Sequence, residues 1–161
     1  MPETPPQGSR PLTGIRVLDL SRVLSGPHAA RMLADLGAEI VKVEPPAGDT
    51  TRFATPKING VSAYYAQQNS GKHNVSLDTN LPEAKEVLLA LAERCDVLIE
   101  NFRPGVAERM GVGYDAVAAR NPRLVYASIS GYGQTGPCAR AGRARPGSRR
   151  SRTSRCTRRR G

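Results

Sequence analysis

The stretch IRVLDLSRVLSGPHAARMLADLGAEIVKVE, residues 15–44, decides the fold. Ile15–Leu20 is an apolar run dense enough for a buried strand, and Ser21–Pro27 breaks it with a Gly-Pro pair. From His28 to Leu36, Ala29, Met32, Leu33 and Leu36 recur at helical spacing, and Gly37 stands where a helix stop is expected. Glu39–Glu44 then resumes a β-branched run. This is a strand, a helix and a second strand.

The unit repeats downstream. Pro82 opens a helix to about Arg94, with Val87, Leu88 and Leu91 on one face, and Asp96–Glu100 is the next strand. Asn101–Gly105 turns the chain, Val106–Met110 and Tyr114–Arg120 are short helical pieces, and Arg123–Ser130 is a further strand running into Gly131–Pro137. Between the two units, Pro45–Asp78 carries Phe53 and the Tyr64–Tyr65 pair among Pro and Gly, and reads as a long functional excursion. Strands separated by helices need crossovers, so the class is α/β with a parallel sheet and flanking helices. Ligands in such sheets bind beyond the carboxyl ends of the strands. Ser21–Pro27, Glu44–Pro46, Asn101–Gly105 and Gly131–Gly136 therefore share one rim.

Composition narrows the function classes. The 161 residues are 39% hydrophobic and 24% charged, as in a soluble globular domain. No run approaches the roughly 18 apolar residues of a spanning helix, and MPETPPQGSR lacks an apolar signal core, so a cytoplasmic location is expected. The net charge of +10 is not spread over the chain: residues 138–161 hold ten Arg and no acid, and the remainder is neutral. That tail has no large aliphatic or aromatic residue and is expected to be disordered, as residues 1–10 are expected to form a loose Pro-rich leader. Cys95, Cys138 and Cys156 are odd in number and form no C-x-x-C pair, which argues against a zinc site or a disulfide framework. Cys95 reads as a small buried hydrophobe.

Gly131, Gly133 and Gly136 spell G-x-G-x-x-G, but neither a helical pattern nor an acid follows, so a tight backbone-exposing turn fits better than a dinucleotide site. His28 and His73 sit in unrelated contexts, which leaves a His-centred mechanism without support. Asp19 lies inside a strand pattern and suits hydrogen bonding to turn amides, while Glu44 and Glu100 end strands at the rim, where a structural role competes with a ligand role. Lys72, Arg103 and Arg109 are either phosphate-binding cations or solvated surface charge.

Four segments in order, PLTGIRVLDLSRVLSGPHAARMLADLGAEIVKVEPP, YYAQQNSGKHNVSLD, DVLIENFRPGVAERMGVGYD and NPRLVYASISGYGQTGP, resemble the family III CoA-transferases of the formyl-CoA and carnitine-CoA type, with the α-methylacyl-CoA racemases as close relatives. The resemblance covers Pro11–Pro137, and QQNSGKHNVSLD is nearer the transferases. It implies a Rossmann-like large domain that takes CoA or acyl-CoA as substrate, with no covalently bound cofactor, a smaller second domain, and two interlocked copies of the chain. On the matching positions, Val23, Leu24 and Ser25 approach the CoA. Leu77, Asp78 and Asn80, with Asn101, Phe102 and Arg103, contact its nucleotide part, and Arg109 helps hold the phosphates. Gly131, Tyr132, Gly133 and Gln134 lie beside the thioester. Pro45 stands where some members place an Arg, and Asn80 where some place a Lys.

The family's Asp nucleophile, which forms a mixed anhydride with the acyl group and then a glutamyl- or aspartyl-CoA thioester, comes after GYGQTGP and matches no residue here. The resemblance therefore assigns no catalytic residue in this sequence. It implies an N-terminal part of the large domain, inactive alone, in which the abrupt change after Pro137 reads as a shift of reading frame. Two other readings stand beside transfer of CoA from an acyl-CoA to a carboxylic acid. One is a racemase-like fragment; the other is nucleic-acid binding through the Arg-rich tail.

Overall fold

The computed structural model describes residues 10–136 and Ala139; the expectations for the leader and for the Arg-rich tail, with Cys138 and Cys156, lie outside the described residues. In chain order the elements are β1 (Arg16–Asp19), α1 (Ser25–Asp35), β2 (Glu39–Glu44), β3 (Lys57–Ile58), β4 (Val61–Ser62), α2 (Ala63–Asn69), β5 (Lys72–Ser76), α3 (Pro82–Glu93), β6 (Val97–Glu100), α4 (Val106–Arg109), α5 (Tyr114–Arg120) and β7 (Val125–Ser128), with a 3-10 turn at Thr50–Phe53.

Five strands form one parallel sheet in the order β5-β2-β1-β6-β7. The chain winds outward from β1 to one edge, returns, and winds to the other, which is the order of a doubly wound Rossmann-like sheet. Alternation along each strand divides the core into two faces. Val17, Ile40 and Ile99 pack with Ala30 and Ala34 of α1, while Leu18, Val43 and Leu98 pack with Leu88, Leu89 and Ala92 of α3 and Val117 of α5. Cys95 is buried beside the second group, as expected. Among the described residues no helix is long and apolar enough to cross a membrane.

Several local expectations are corrected. Helix α1 starts at Ser25 rather than His28, because Pro27 in a first turn has no intrahelical N–H to lose. Its buried face is Gly26, Pro27, Ala30 and Ala34, whereas Met32 and Leu36 are exposed; small residues let the helix lie close on the sheet. In α3 the buried set is Ala84, Leu88, Leu89 and Ala92, and Val87 faces outward. The Pro45–Asp78 excursion holds α2, a hairpin and the edge strand β5. KHNVS does not read as a strand because it pairs on one side only and is mostly exposed, so no apolar run marks it. Strand β7 is shorter than Arg123–Ser130. At its end Gly133 and Gly136 adopt left-handed φ values of 81° and 95°, in keeping with a tight turn.

Helix α1 ends as the sequence suggests. Gly37 takes φ 105°, its N–H donates to the Ala34 carbonyl, and the Ala38 N–H donates to the Leu33 carbonyl. That cap turns the chain directly into β2.

Candidate functional site

Because all five strands are parallel, their carboxyl ends lie on one edge. From β5 to β7 this rim presents Leu77–Asn80, Glu44–Pro46, Ser21–Ser25, Asn101–Gly105 and Gly131–Gly136. At about 4.8 Å per strand the rim is roughly 19 Å long, suited to an extended ligand. The direction of winding reverses between β1 and β6, so the loops after these strands flank the crevice where doubly wound sheets bind ligands.

The loop after β1 is gripped residue by residue. Ser21 N–H donates to Asp19 Oδ1 at 3.0 Å, and Lys42 Nζ donates to the Ser21 carbonyl at 2.8 Å. Asn101 accepts from Arg22 N–H at 2.8 Å and returns a hydrogen bond from Nδ2 to the Arg22 carbonyl at 2.7 Å. Val23 N–H donates to Asp49 Oδ2 at 3.0 Å. Val23 itself has φ 70°, a left-handed conformation unusual for a β-branched residue. Val23 and Leu24 are left 47% and 44% exposed at the crevice.

Beneath the loop, on the α1 and α2 face, lies a buried charge network. Lys72 Nζ contacts Asp19 Oδ2 and the Pro27 carbonyl at 2.8 Å each and Asn69 Oδ1 at 3.0 Å. Burial lowers the pKa of Lys72, and the Asp19 charge opposes that shift. Glu44 accepts from Arg52 Nε and the Tyr65 hydroxyl at 2.6 Å, from Asn74 at 2.8 Å and from Asp49 N–H at 3.0 Å. Burial raises its pKa, but these hydrogen bonds and the Arg52 charge outweigh burial and hold it below the ordinary carboxylate value. Asp49 follows the same pattern: burial raises it, while hydrogen bonds from Thr51 and Val23 and the charge of Lys42, at 3.7 Å, bring it below the ordinary value. Burial, then Glu44, pushes the Tyr65 phenol well up. Arg52 also stacks over the Tyr65 ring, 4.0 Å from its centroid.

On the opposite face, near the ends of β6 and β7, Glu100, Arg103, Glu108, Tyr114, Tyr126 and Gln134 help line a cavity of about 230 Å³. Glu100 is buried and its Oε2 accepts from Phe102 N–H at 2.7 Å, which shapes the turn after β6. The Tyr126 hydroxyl donates to the Val112 carbonyl at 3.0 Å, and burial followed by the charges of Glu100 and Glu108 raises its pKa. Gln134 reaches Ser128 and, at 3.5 Å, Glu100.

The expected site residues fall into three groups. Val23, Leu24, Ser25, Arg103, Arg109, Gly131, Tyr132, Gly133 and Gln134 are exposed, on rim loops except for Ser25, which opens α1, and Arg109, at the end of α4, where its guanidinium folds back over Gly105. Leu77, Asp78 and Asn80 sit beyond β5 at the far edge; Leu77 packs on the core, and Asp78 accepts from Asn80 N–H and Nδ2. Asn101 and Phe102 shape the crevice from within: Asn101 holds Arg22, and Phe102 packs on the core with the Arg22 guanidinium 5.7 Å from its ring. Lys72 is neither a phosphate ligand nor a surface charge, because all its ammonium donors are spent inside the protein. Glu44 is likewise committed to the network, and Asp19 does bind a turn amide.

Lys42, Asp49 and Arg52 belong to the network beneath the loop and were not singled out in the sequence, whereas Tyr65, noted there as part of the excursion, joins them through Glu44. Two local signals were present: a lone Lys inside the apolar strand EIVKVE, and Gly48-Asp49 ahead of a Thr pair, where Asp49 caps the turn by accepting from Thr51 N–H.

A family model described as CoA-transferase family III matches residues 12–147, extending ten residues beyond Pro137. The chain is 44% identical over 137 residues to the acetyl-CoA:oxalate CoA-transferase of Acetobacter aceti, covering 84% of this chain and 35% of the relative. It is 47% identical over 127 residues to the formyl-CoA:oxalate CoA-transferase of Streptomyces coelicolor, covering 78% and 31%. Among solved structures, a CAIB/BAIF family protein from Brucella suis superposes with TM-score 0.77 at 40% identity, over 81% of this chain and 36% of that one. The chain spans about a third of the length of the curated relatives it matches.

Proposed function

Because this chain belongs to CoA-transferase family III, we propose that its rim grips coenzyme A for transfer between an acyl-CoA and a carboxylic acid. The supporting observation is that Val23–Ser25, Leu77–Asn80, Asn101–Arg103 and Gly131–Gln134 all stand on one edge of one parallel sheet, with the clamped loop at its switch point. The length of the rim suits an extended carrier. Arg103 and Arg109 supply charge for its phosphates, Val23, Leu24 and Phe102 supply apolar surface, and the exposed glycine turn brings backbone amides to the rim for a thioester oxygen. The acyl-CoA is a substrate, and the protein brings no cofactor chemistry of its own to the step.

In this reading the chain binds the carrier, and the attacking carboxylate is not among its matched residues. Titration calorimetry of the 161-residue chain with CoA and with pantetheine tests it. CoA is expected to bind measurably more tightly than pantetheine, with Arg103→Ala and Arg109→Ala each removing much of that difference. Equal affinity for the two, or no binding of CoA, refutes the assignment. Acyl transfer to a carboxylic acid by this chain alone is expected to be absent, and ordinary turnover would refute the placement of the nucleophile.

A further inference from the structure

We propose that Asp49 is a positioning residue whose carboxylate holds Val23 in its left-handed conformation, so that the loop after β1 is set for the carrier before it arrives. The inference rests on the proposed binding of CoA at this rim.

Backbone groups of Ser21, Arg22 and Val23 are held by side chains from four other places in the sequence: Asp19, Lys42, Asn101 and Asp49. Asp49 makes the hold at the strained residue of the loop. Its Oδ2 accepts from Val23 N–H, while its Oδ1 accepts from Thr51 N–H at 3.0 Å and Thr51 Oγ1 at 2.9 Å. Both oxygens are therefore engaged by donors, and Lys42 Nζ lies 3.7 Å from Oδ2. Lys42 also grips the Ser21 carbonyl, so one buried ion pair bears on both sides of Arg22. Glu44 fixes Asp49 in turn through its backbone N–H. Val23 and Leu24 nevertheless remain exposed, so the framework holds the loop's backbone and leaves its side chains open at the crevice. A β-branched residue pays a conformational penalty at φ 70° that a surrounding structure must overcome, and such strain is retained where it serves a site. Preorganising the loop spares the carrier the cost of ordering it.

Asp49→Asn is the informative change. An amide has one oxygen and cannot accept from both Val23 and Thr51, and turned either way its NH₂ meets a donor. CoA affinity is measured for the wild-type chain, Asp49→Asn, Val23→Gly and the double variant. Glycine adopts a left-handed φ without strain, so it removes the need for the clamp. The expectation is a loss of about tenfold or more when Asp49→Asn is made in the wild-type chain, and about threefold or less when it is made in the Val23→Gly variant. A merely structural Asp49 gives the same loss in both backgrounds, and that result, or wild-type affinity in Asp49→Asn, overturns the inference while leaving the CoA reading intact. Failure of the wild-type chain to bind CoA overturns both. Amide exchange in the ligand-free wild-type chain supplies a readout that needs no variant to fold. The Val23 N–H, although on an exposed residue, is expected to exchange at least about tenfold more slowly than an unstructured amide. Unprotected exchange overturns the clamp.

Discussion

Replacing Lys72 by Met tests the buried ion pair on which the rim rests. The Asp19 side chain is fully buried and that of Lys72 nearly so, at 0% and 1% exposure. In Lys72→Met, Asp19 keeps its two contacts from Ser21 and loses its cationic partner, while the Pro27 carbonyl and Asn69 Oδ1 lose a donor. Removing one member of a buried ion pair costs about 3–5 kcal/mol, because the remaining charge stays buried without compensation. With an m-value of about 2 kcal/mol/M for a domain of this size, the urea midpoint should fall by roughly 2 M with m unchanged. Asp19→Asn/Lys72→Met should recover part of that loss, since a neutral amide leaves no stranded charge. A midpoint shift below about 0.3 M for Lys72→Met, the behaviour of a solvated lysine, would refute the assignment. So would a double variant as unstable as the sum of its parts, because two residues in contact must couple.

Three further outcomes follow from the same geometry. Gly26→Ala places a Cβ into the Ser21 side chain at the entry of α1, so the thermal midpoint should fall by the equivalent of about 1–3 kcal/mol, measured by calorimetry. Asn101→Ala removes two short hydrogen bonds that tie the end of β6 to the loop after β1; stability should fall by about 1–3 kcal/mol in urea melts, and exchange at the Arg22 amide should accelerate. The pH dependence of stability has two limbs. Glu44 and Asp49 have depressed folded values, so their contribution is complete above the ordinary carboxylate range and is lost as pH falls through those values. The raised value of Tyr65 gives a contribution present below the ordinary tyrosine range and lost as pH rises through the folded value. Urea midpoints should therefore be flat near neutrality and fall at both extremes, and the alkaline limb should become shallower in Tyr65→Phe, with Tyr126, whose value is also raised, supplying part of what remains.

The repeated strand-helix pattern was legible because burial on both faces of a parallel sheet demands short apolar runs, and helical crossovers demand their own periodicity. β1, β2 and β6 are runs of that kind, and Pro82 and Gly37 punctuate their neighbours at the ends where proline and glycine carry local meaning. The rim followed from the same logic, since parallel strands must end together. The edge strand β5 escaped notice because exposure removes the apolar signature on which the reading depends. The outward turn of Met32 and Val87 escaped notice because helical spacing defines a face without choosing which flank of it meets the sheet.

The roles of the charged residues required the tertiary structure. In sequence, Lys72 within SGKHN looks like a cation at a glycine turn, and Lys42 is a lone charge inside the run EIVKVE with no partner in view. The fold brings Lys72 to Asp19 across 53 positions and Asp49 to Val23 across 26, burying the groups as it joins them. Local pattern reports propensity and periodicity, which act between neighbours along the chain. Which buried charge meets which backbone amide depends on the order in which strands lie side by side, and no short stretch of residues contains that order.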